Sequence, residues 1–262
     1  MSLIQINNLT FSYDTSYDNI FENVSFQIDT GWKLGLTGRN GRGKTTFLNL
    51  LMGKYEYGGS IQASVAFDYF PYEVEDKTCD AIAVVETIVP QYEHWMLQRE
   101  LSLLDVDEEV LYRPFDTLSN GERTKLLLAA LFLKEGNFLL IDEPTNHLDR
   151  EAREKVGRYL NSKRGFILVS HDRALLDQCV DHILSINRSD IEVRKGNFST
   201  WQQNKEQQDR FELAENEKLK REIKTLTAAA RRTADWSNRI EKTKNGNKVS
   251  GVKPDKIGRA HV

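Results

Sequence analysis

The chain has 262 residues, 39 % of them hydrophobic and 29 % charged, with a formal net charge of −3, which allows one large domain or one domain with an appendage. Its only two cysteines, Cys79 and Cys179, form no CxxC pair, so nothing indicates a disulfide framework or a zinc site, and a reducing cytosol fits. Since it has neither a run of about 18 apolar residues nor an apolar N-terminal stretch, we expect no membrane span, no signal peptide and a cytoplasmic location.

The apolar pattern predicts strands that alternate with helices along the first 201 residues. The expected strands are 3–6, 21–28, a short one ending at Thr37, one within 61–70, 138–141, 166–169 and a closing hairpin of 180–186 with 191–193. The expected helices are one from Thr46, pieces within 79–113 broken at Pro90, 121–134 and 151–160. This order indicates an α/β fold with a parallel sheet flanked by helices, to which the N-terminal strands add an antiparallel β subdomain.

A glycine-rich loop joins the strand that ends at Thr37 to the helix that follows. It reads Gly-Arg-Asn-Gly-Arg-Gly-Lys-Thr over residues 38–45, the spacing of a phosphate-binding P-loop. Backbone N–H groups of such a loop surround an anion, and the helix N-terminus adds a positive dipole end. A chance glycine-rich turn is the alternative, which the strand–loop–helix context disfavours. The expected nucleotide-binding residues are Gly38, Asn40, Gly41, Gly43, Lys44, Thr45 and Thr46.

Two acids follow a second buried strand. Asp142 and Glu143 come directly after the apolar residues 138–141, at the strand end where open α/β sheets place ligands. Strands often end in acids, so the pair is informative because it follows a P-loop in the right order. We expect Thr45 and Asp142 to bind Mg²⁺, Lys44 to reach the β- and γ-phosphates, and Glu143 to polarise an attacking water.

The character of the chain changes near Asn204. Residues 1–201 carry 21 Lys and Arg against 30 Asp and Glu, whereas residues 202–262 carry 15 against 9. Leu219, Ile223, Leu226 and Ala230 recur at helical spacing, which predicts a long amphipathic helix with a narrow apolar stripe. A basic segment of this kind favours contact with nucleic acid or anionic membrane, and a solvated helix face explains the charge equally well.

Further motifs resemble those of the ATP-binding cassette family. The segment Leu-Ser-Asn-Gly-Glu over 118–122 resembles the signature motif of that family, Pro-Thr-Asn-His-Leu-Asp over 144–149 its D-loop, and Ser-His-Asp-Arg over 170–173 its switch histidine. Tyr13 lies where the family keeps an aromatic residue that stacks on adenine. Each has a plainer interpretation: Ser119 as a helix N-cap, Tyr13 as a core aromatic residue, and His171 as a histidine with a structural partner.

The resemblance implies that each ATP site is formed by residues from two cassettes. Glu143 and His171 are the implied catalytic residues, with His171 at the γ-phosphate. The signature residues Ser119, Asn120, Gly121 and Glu122 complete the site of a facing cassette, and Asp149 belongs to the D-loop. A second cassette is therefore an expected partner, and the cofactors are ATP and Mg²⁺. The chain departs from the family at Tyr72, where a glutamine is usual, and at Asn120, where many members have glycine.

Within the family, the sequence resembles the ABC-F branch, whose members work on the ribosome. The resemblance rests on Asn-His-Leu-Asp in the D-loop, on Gly-Asn-Phe-Ser-Thr-Trp over 196–201, on the basic helix that follows and on the short span between Tyr72 and Leu118. It implies that the helix starts an interdomain linker that approaches ribosomal RNA and peptidyl-tRNA, without a membrane partner. Basic side chains can neutralise phosphates, and Trp236 can stack on a base or pack on a second helix. The expected RNA contacts are Lys220, Arg221, Arg231, Arg232 and Trp236.

The opening residues 1–11 and the P-loop are similar to Lsa-type resistance proteins, which protect ribosomes from lincosamides, streptogramin A and pleuromutilins. The alternatives are a housekeeping ABC-F translation factor, the ATPase subunit of an ABC transporter and a DNA-repair ATPase. A transporter subunit usually has a long helical insertion before the signature, and a DNA-repair ATPase usually has zinc cysteines or a very long coiled coil. Neither feature appears in this sequence. We expect a cassette domain over 1–201, the start of a basic helical linker over 202–255, and a non-native tail over 256–262 that resembles a sequencing adapter read in frame.

Overall fold

A computed structural model describes residues 2–14, 18–38, 41, 43–187 and 191–246, without the side chains of 241–246. The expected tail at 256–262 lies outside the described residues. The chain divides into two units, Met1–Gln203 and Asn204–Val262, each of which is described by itself. The expected domain bounds at 201 and 255 stay predictions.

Nine strands and seven α-helices are found in the described residues. The strands are β1 Leu3–Phe11, β2 Phe21–Asp29, β3 Lys33–Thr37, β4 Gly58–Gln62, β5 Ala66–Phe70, β6 Asn137–Asp142, β7 Phe166–Val169, β8 His182–Ile186 and β9 Ile191–Lys195. The helices are α1 Lys44–Leu51, α2 Ala81–Ile88, α3 His94–Leu103, α4 Asn120–Leu133, α5 Arg150–Ser162, α6 Arg173–Cys179 and α7 Phe198–Gly246, with short 3-10 helices at Glu108–Tyr112 and Phe115–Thr117.

The main sheet has six strands in the order β5-β6-β7-β3-β8-β9. Its first five strands are parallel, and β9 closes the edge antiparallel to β8. All four residues of β7 are buried, as expected for a strand of a parallel sheet that is covered on both faces. Because parallel strands end at the same edge, the loops after β3, β6 and β7 meet there.

A second sheet, β2-β1-β4, is antiparallel throughout. Ile4 and Ile6 in β1 are buried with Ile28 in β2, so this sheet turns one apolar face toward the core. The two sheets and their flanking helices confirm the expected fold class.

Alternation along β6 divides the core in two. Leu139 and Ile141 pack with helices α2 to α6, whereas Phe138 and Leu140 pack with α1 and the antiparallel sheet. Since successive strand residues point to opposite faces, one apolar run serves both clusters.

The structure differs from the sequence-based prediction at two elements. The strand expected within 61–70 is β5, whereas β4, which only reaches into this range, was not predicted and belongs to the other sheet. Helix α6 was not predicted, although Asp172 caps it by accepting hydrogen bonds from the N–H groups of Ala174 at 3.0 Å and Leu175 at 3.2 Å. Seven residues are too few to show helical periodicity.

In the second unit, helix α7 forms the whole of the described part. The predicted stripe residues Leu219, Ile223 and Leu226 are exposed on it. Over the described residues, no helix combines the length and the apolar character that crossing a bilayer requires.

Candidate functional site

The glycine loop lies between β3 and α1, as the sequence predicts. Gly43 precedes α1 with φ 92°, and Gly41 has φ 76°, both in the left-handed region that favours glycine. A Cβ at Gly43 would lie 2.6 Å from Ile20 Cγ2, so a larger residue would also collide with this side chain. Asn40 lies outside the described residues, and its expected nucleotide contact stays a prediction.

Lys44 begins helix α1, and its ammonium group turns back over the loop. Lys44 Nζ donates a hydrogen bond to the carbonyl oxygen of Gly38 at 2.9 Å. A Cβ at Gly38 would approach the carbonyl oxygen of Ile186 to 3.1 Å, so the loop runs close against the end of β8. The first turn of α1 holds no acidic residue, so its backbone N–H groups and the lysine act as positive groups around the loop.

These groups open onto a cavity of about 450 Å³. Its walls bring together loop, strand-end and aromatic residues that are far apart in sequence. The lining residues are Tyr13, Ile20, Gly41, Gly43, Lys44, Thr45, Thr46, Asp142, Glu143, Val169 and His171. The volume and the mixture of a lysine, hydroxyls and carboxylates suit a phosphorylated small molecule with a cation.

Glu143 is held in an unusual backbone conformation at the end of β6. Its φ is 50°, in the left-handed region, where a residue with a side chain is strained, and its N–H donates to the carbonyl oxygen of Val169 at 2.9 Å. Among the described atoms, Glu143 Oε1 is buried without a hydrogen-bond partner. Burial raises the pKa of this carboxyl above its ordinary value.

His171 follows β7 and faces the same carboxylate. Its backbone N–H donates to Glu143 Oε2 at 3.3 Å, and its ring Nε2 lies 3.6 Å from Glu143 Oε1. The His171 side chain is 68 % exposed, whereas that of Glu143 is 18 % exposed. The histidine ring therefore stands at the mouth of the cavity above a mostly buried acid.

Tyr13 lies on the other side of the loop. Its hydroxyl is 2.8 Å from Thr46 Oγ1, and its ring makes edge contacts with Phe11 and Tyr55 at centroid distances of 5.0 and 5.7 Å. The ring is 37 % exposed and lines the cavity, so it has both core contacts and a surface open to a ligand.

Tyr69 is a site residue that the sequence analysis missed. Its hydroxyl donates a hydrogen bond of 2.9 Å to Asp142 Oδ2. Burial and the neighbouring carboxylate raise the pKa of Tyr69 well above its ordinary value, so the hydroxyl keeps its proton. Tyr72, the residue at the expected glutamine position, instead packs against the cluster beneath helices α2 to α6, in a separate cavity with Phe115 and Arg123.

The signature segment lies outside the lining of this cavity. Ser119 Oγ accepts from the Glu122 N–H at 3.2 Å, and Glu122 Oε2 accepts from the Ser119 N–H at 2.7 Å, a capping box at the start of α4. Capping of α4 is therefore enough to explain the side chains of Ser119 and Glu122, in agreement with the plainer interpretation of Ser119 as an N-cap. Asn120 and Gly121 lie in the first turn of the helix. A Cβ at Gly121 would lie 3.9 Å from Leu148 in the D-loop, whose Asp149 caps α5.

The oxygen donors for a cation are the Thr45 hydroxyl and the Asp142 carboxylate, which line one cavity. Mg²⁺ favours such oxygens and is usually bound by one or two carboxylates together with substrate phosphates. Within the described part of the chain, no group of three or more His, Cys, Asp and Glu side chains could hold a metal. The residues present therefore fit a Mg²⁺ whose remaining ligands come from a phosphate.

The expected RNA contacts lie on α7, in the second unit. Trp236 is 66 % exposed, and the basic side chains around it face solvent. Arg221 forms an ion pair of 3.6 Å with Glu217 on the same helix. The other basic residues expected to contact RNA are Lys220, Arg231 and Arg232.

Comparison with known proteins identifies the family of this chain. Residues 21–146 match the family profile described as ABC transporter. The chain is 33 % identical over 196 residues to the ribosome protection protein VmlR of Bacillus subtilis, covering 72 % of this chain and 35 % of that protein. It is 30 % identical over 207 residues to ABC transporter F family member 2 of Arabidopsis thaliana, covering 76 % of this chain and 30 % of that protein. The chain thus spans about a third of the length of these relatives.

Solved structures show the same fold. A dimeric structure of a bacterial ABC transporter cassette superposes with a TM-score of 0.61 at 18 % identity, covering 73 % of this chain and 98 % of that one. The residues matched by the family profile include the glycine loop, the signature segment and the two acids at the end of β6. The chain belongs, through this domain, to the ATP-binding cassette family.

Proposed function

We propose that the chain is the ATP-binding and ATP-hydrolysing cassette of a longer ABC-F protein that acts on the ribosome. The observation that carries the ATPase part is the convergence of Lys44, Thr45, Asp142, Glu143 and His171 on one cavity. A lysine at a helix N-terminus, two oxygen donors for a cation, a buried acid and a histidine are the groups that phosphoryl transfer needs.

Binding of the nucleotide is assigned to the loop, α1 and Tyr13. The glycine loop and the first turn of α1 would surround the β- and γ-phosphates, with Lys44 moving from the Gly38 carbonyl to a phosphate oxygen. Thr45 and Asp142 would hold Mg²⁺, which neutralises charge on the phosphates. The half-exposed ring of Tyr13 would stack on the adenine, while its hydroxyl stays with Thr46.

Hydrolysis is assigned to Glu143 and His171. The Glu143 carboxylate has one buried oxygen without a hydrogen-bond partner among the described atoms, which can accept a hydrogen bond from an attacking water. The hydrogen bond from the His171 backbone N–H to the Glu143 carboxylate would keep the histidine ring beside the same water and near the γ-phosphate. These roles are those implied by the family motifs, and the geometry is compatible with them.

One cassette supplies only half of each site in this proposal. Ser119, Asn120, Gly121 and Glu122 line no part of the cavity that holds Lys44, so they are available to a facing cassette. A second cassette in the longer protein would bring its own signature to this cavity. ATP would then hold the two cassettes together, and hydrolysis would release them.

The ribosomal role is supported by the relatives and by α7. One relative is named a ribosome protection protein, and two are named as F-family cassette proteins. The exposed basic side chains of α7 suit the phosphates of ribosomal RNA, and Trp236 suits an unstacked base. Protection against peptidyl-transferase antibiotics is the finest level of the proposal, and it implies a cytoplasmic protein that contacts peptidyl-tRNA. A housekeeping translation factor is the alternative within the same branch.

Removal of the Lys44 ammonium group tests the nucleotide site. Lys44→Ala should weaken binding of a fluorescent ATP analogue in the presence of Mg²⁺ about ten- to a hundredfold, because the variant cannot form charge-assisted hydrogen bonds to phosphate. The matched control is Lys77→Ala, which removes the same charge from an exposed position of the same unit. Equal affinities for the two variants would contradict the proposal.

A further inference from the structure

We infer that Tyr69 is a positioning residue for the metal-binding carboxylate of Asp142. This role rests on the proposed ATP site and deepens it, since Tyr69 itself does not line the cavity. It depends on the hydrogen bond of 2.9 Å from the Tyr69 hydroxyl to Asp142 Oδ2. The two residues are separated by 73 positions along the chain.

Strand register brings the two side chains together. Strands β5 and β6 are parallel neighbours in which Tyr69 pairs with Leu140 and Phe70 with Ile141. Because side chains alternate along a strand, Asp142 lies on the same face as Leu140 and therefore as Tyr69. The Tyr69 hydroxyl consequently reaches forward along this face to the carboxylate at the end of β6.

The ring of Tyr69 is fixed on its other sides. It packs against the hydrophobic cluster that includes α1 and the antiparallel sheet. Lys54 Nζ, just after α1, lies 5.6 Å from the centroid of the ring, within the range of a cation–π contact. A hydroxyl on a ring held in this way is a fixed donor, so it restricts rotation of the Asp142 carboxylate.

The consequence is a preorganised metal ligand. A free carboxylate rotates about its last torsion and presents either oxygen to a cation. With Oδ2 engaged by Tyr69, the remaining oxygen is the one left for the cavity that Asp142 lines. Hydrogen bonds to ligating carboxylates commonly set metal affinity, and their removal typically costs about 10–100-fold. Tyr69 thus orients the Asp142 carboxylate without lining the cavity itself, whereas Tyr72 lies in a different cavity.

The test compares nucleotide binding with and without Mg²⁺. Tyr69→Phe in the 262-residue chain removes the hydroxyl oxygen and keeps the ring. The Mg²⁺ concentration that gives half of the Mg²⁺-dependent gain in affinity for a fluorescent ATP analogue should rise about tenfold. Binding in EDTA should not change. The control is Tyr57→Phe, the same change at a half-buried tyrosine beside the same cluster.

A double-mutant cycle separates positioning from general damage. In an Asp142→Asn background, Tyr69→Phe should have little further effect, because its target carboxylate is already absent. A Mg²⁺ requirement equal to that of Tyr57→Phe would overturn the inference, and so would an equal reduction of binding in EDTA. A parent chain that binds no nucleotide would instead refute the proposed ATP site, which keeps the two failures distinguishable.

Discussion

At the scale of single residues, the surroundings of Glu143 cost folding free energy. Its carboxyl is largely buried, one of its oxygens has no hydrogen-bond partner among the described atoms, and its backbone is in the left-handed region. Groups of this kind concentrate where a ligand or a reaction later uses them. The strain is consistent with a residue kept for chemistry.

The substitution Glu143→Gln should therefore stabilise the fold in a pH-dependent way. Burial raises the pKa of Glu143, so above that pKa the folded chain holds a desolvated charge that the amide avoids. We expect a gain of the order of 1 kcal/mol in the free energy of unfolding at pH 8. The gain should shrink as the pH falls through the raised pKa, because the folded carboxyl then becomes neutral, and should vanish below the ordinary glutamate value of about 4.3.

Urea unfolding of both chains from pH 8 to pH 4 measures this dependence. The matched control is Glu73→Gln at an exposed position, which should leave the urea midpoint nearly unchanged over the same range. A gain for Glu143→Gln that is constant with pH would show that the buried charge is not its cause.

At the scale of elements, helix α6, which begins just after His171, contacts the first turn of α7. Asp177 in α6 accepts from the Ser199 N–H at 2.6 Å and also from the Ser199 hydroxyl. The Arg173 guanidinium lies 5.9 Å from the ring of Phe198, and Phe198 and Trp201 pack against the cluster beneath the helices. The first turn of α7 is therefore held by side chains of the helix that directly follows His171.

Asp177→Ala should release this first turn. The N–H groups at a helix N-terminus need acceptors, and removal of a capping carboxylate costs about 1 kcal/mol. We expect faster hydrogen exchange of the backbone amides in 198–203, together with a change in Trp201 fluorescence. Asp209→Ala, at an exposed carboxylate farther along α7, is the control and should leave these amides as they are. Unchanged exchange in the Asp177 variant would mean that the apolar contacts alone hold the turn.

The same elements show how far sequence patterns reach. Lys44, Asp142 and Glu143 could be predicted because each is defined by a local pattern, a glycine spacing or an apolar run followed by acids. Tyr69 could not be predicted, because its role depends on which strand lies beside β6. A short sequence segment does not determine the register of parallel strands that are distant in the chain. Helix α6 could not be predicted either, because its seven residues are too few to show a helical period.

The plainer interpretations also have a structural outcome. Ser119 is both an N-cap and a member of the signature segment, and the capping box shows that one residue can satisfy both descriptions. Tyr13 is likewise both a core aromatic residue and a wall of the cavity. Sequence alone could not separate these alternatives, because the same residue type serves packing and binding.

At the scale of the whole molecule, charge is divided between the two units. Residues 1–201 have 21 basic and 30 acidic side chains, whereas residues 202–262 have 15 and 9. The acidic cassette would be repelled by RNA and the basic helix attracted to it, so binding to ribosomes should depend on α7. Because such binding releases counterions, it should weaken steeply with salt.

Arg231→Gln with Arg232→Gln tests this division of charge. If both side chains neutralise phosphates, the negative slope of log affinity for ribosomes against log salt should become shallower by about 0.7–0.9 for each phosphate that is no longer neutralised. Cosedimentation with purified ribosomes over a salt series measures the slope. The control pair, Arg164→Gln with Lys195→Gln, removes the same charge from exposed positions of the acidic unit. If the two pairs weaken binding and flatten the slope alike, net charge alone governs binding and α7 has no special role. If only the α7 pair has this effect, the helix is the part of the molecule that contacts RNA.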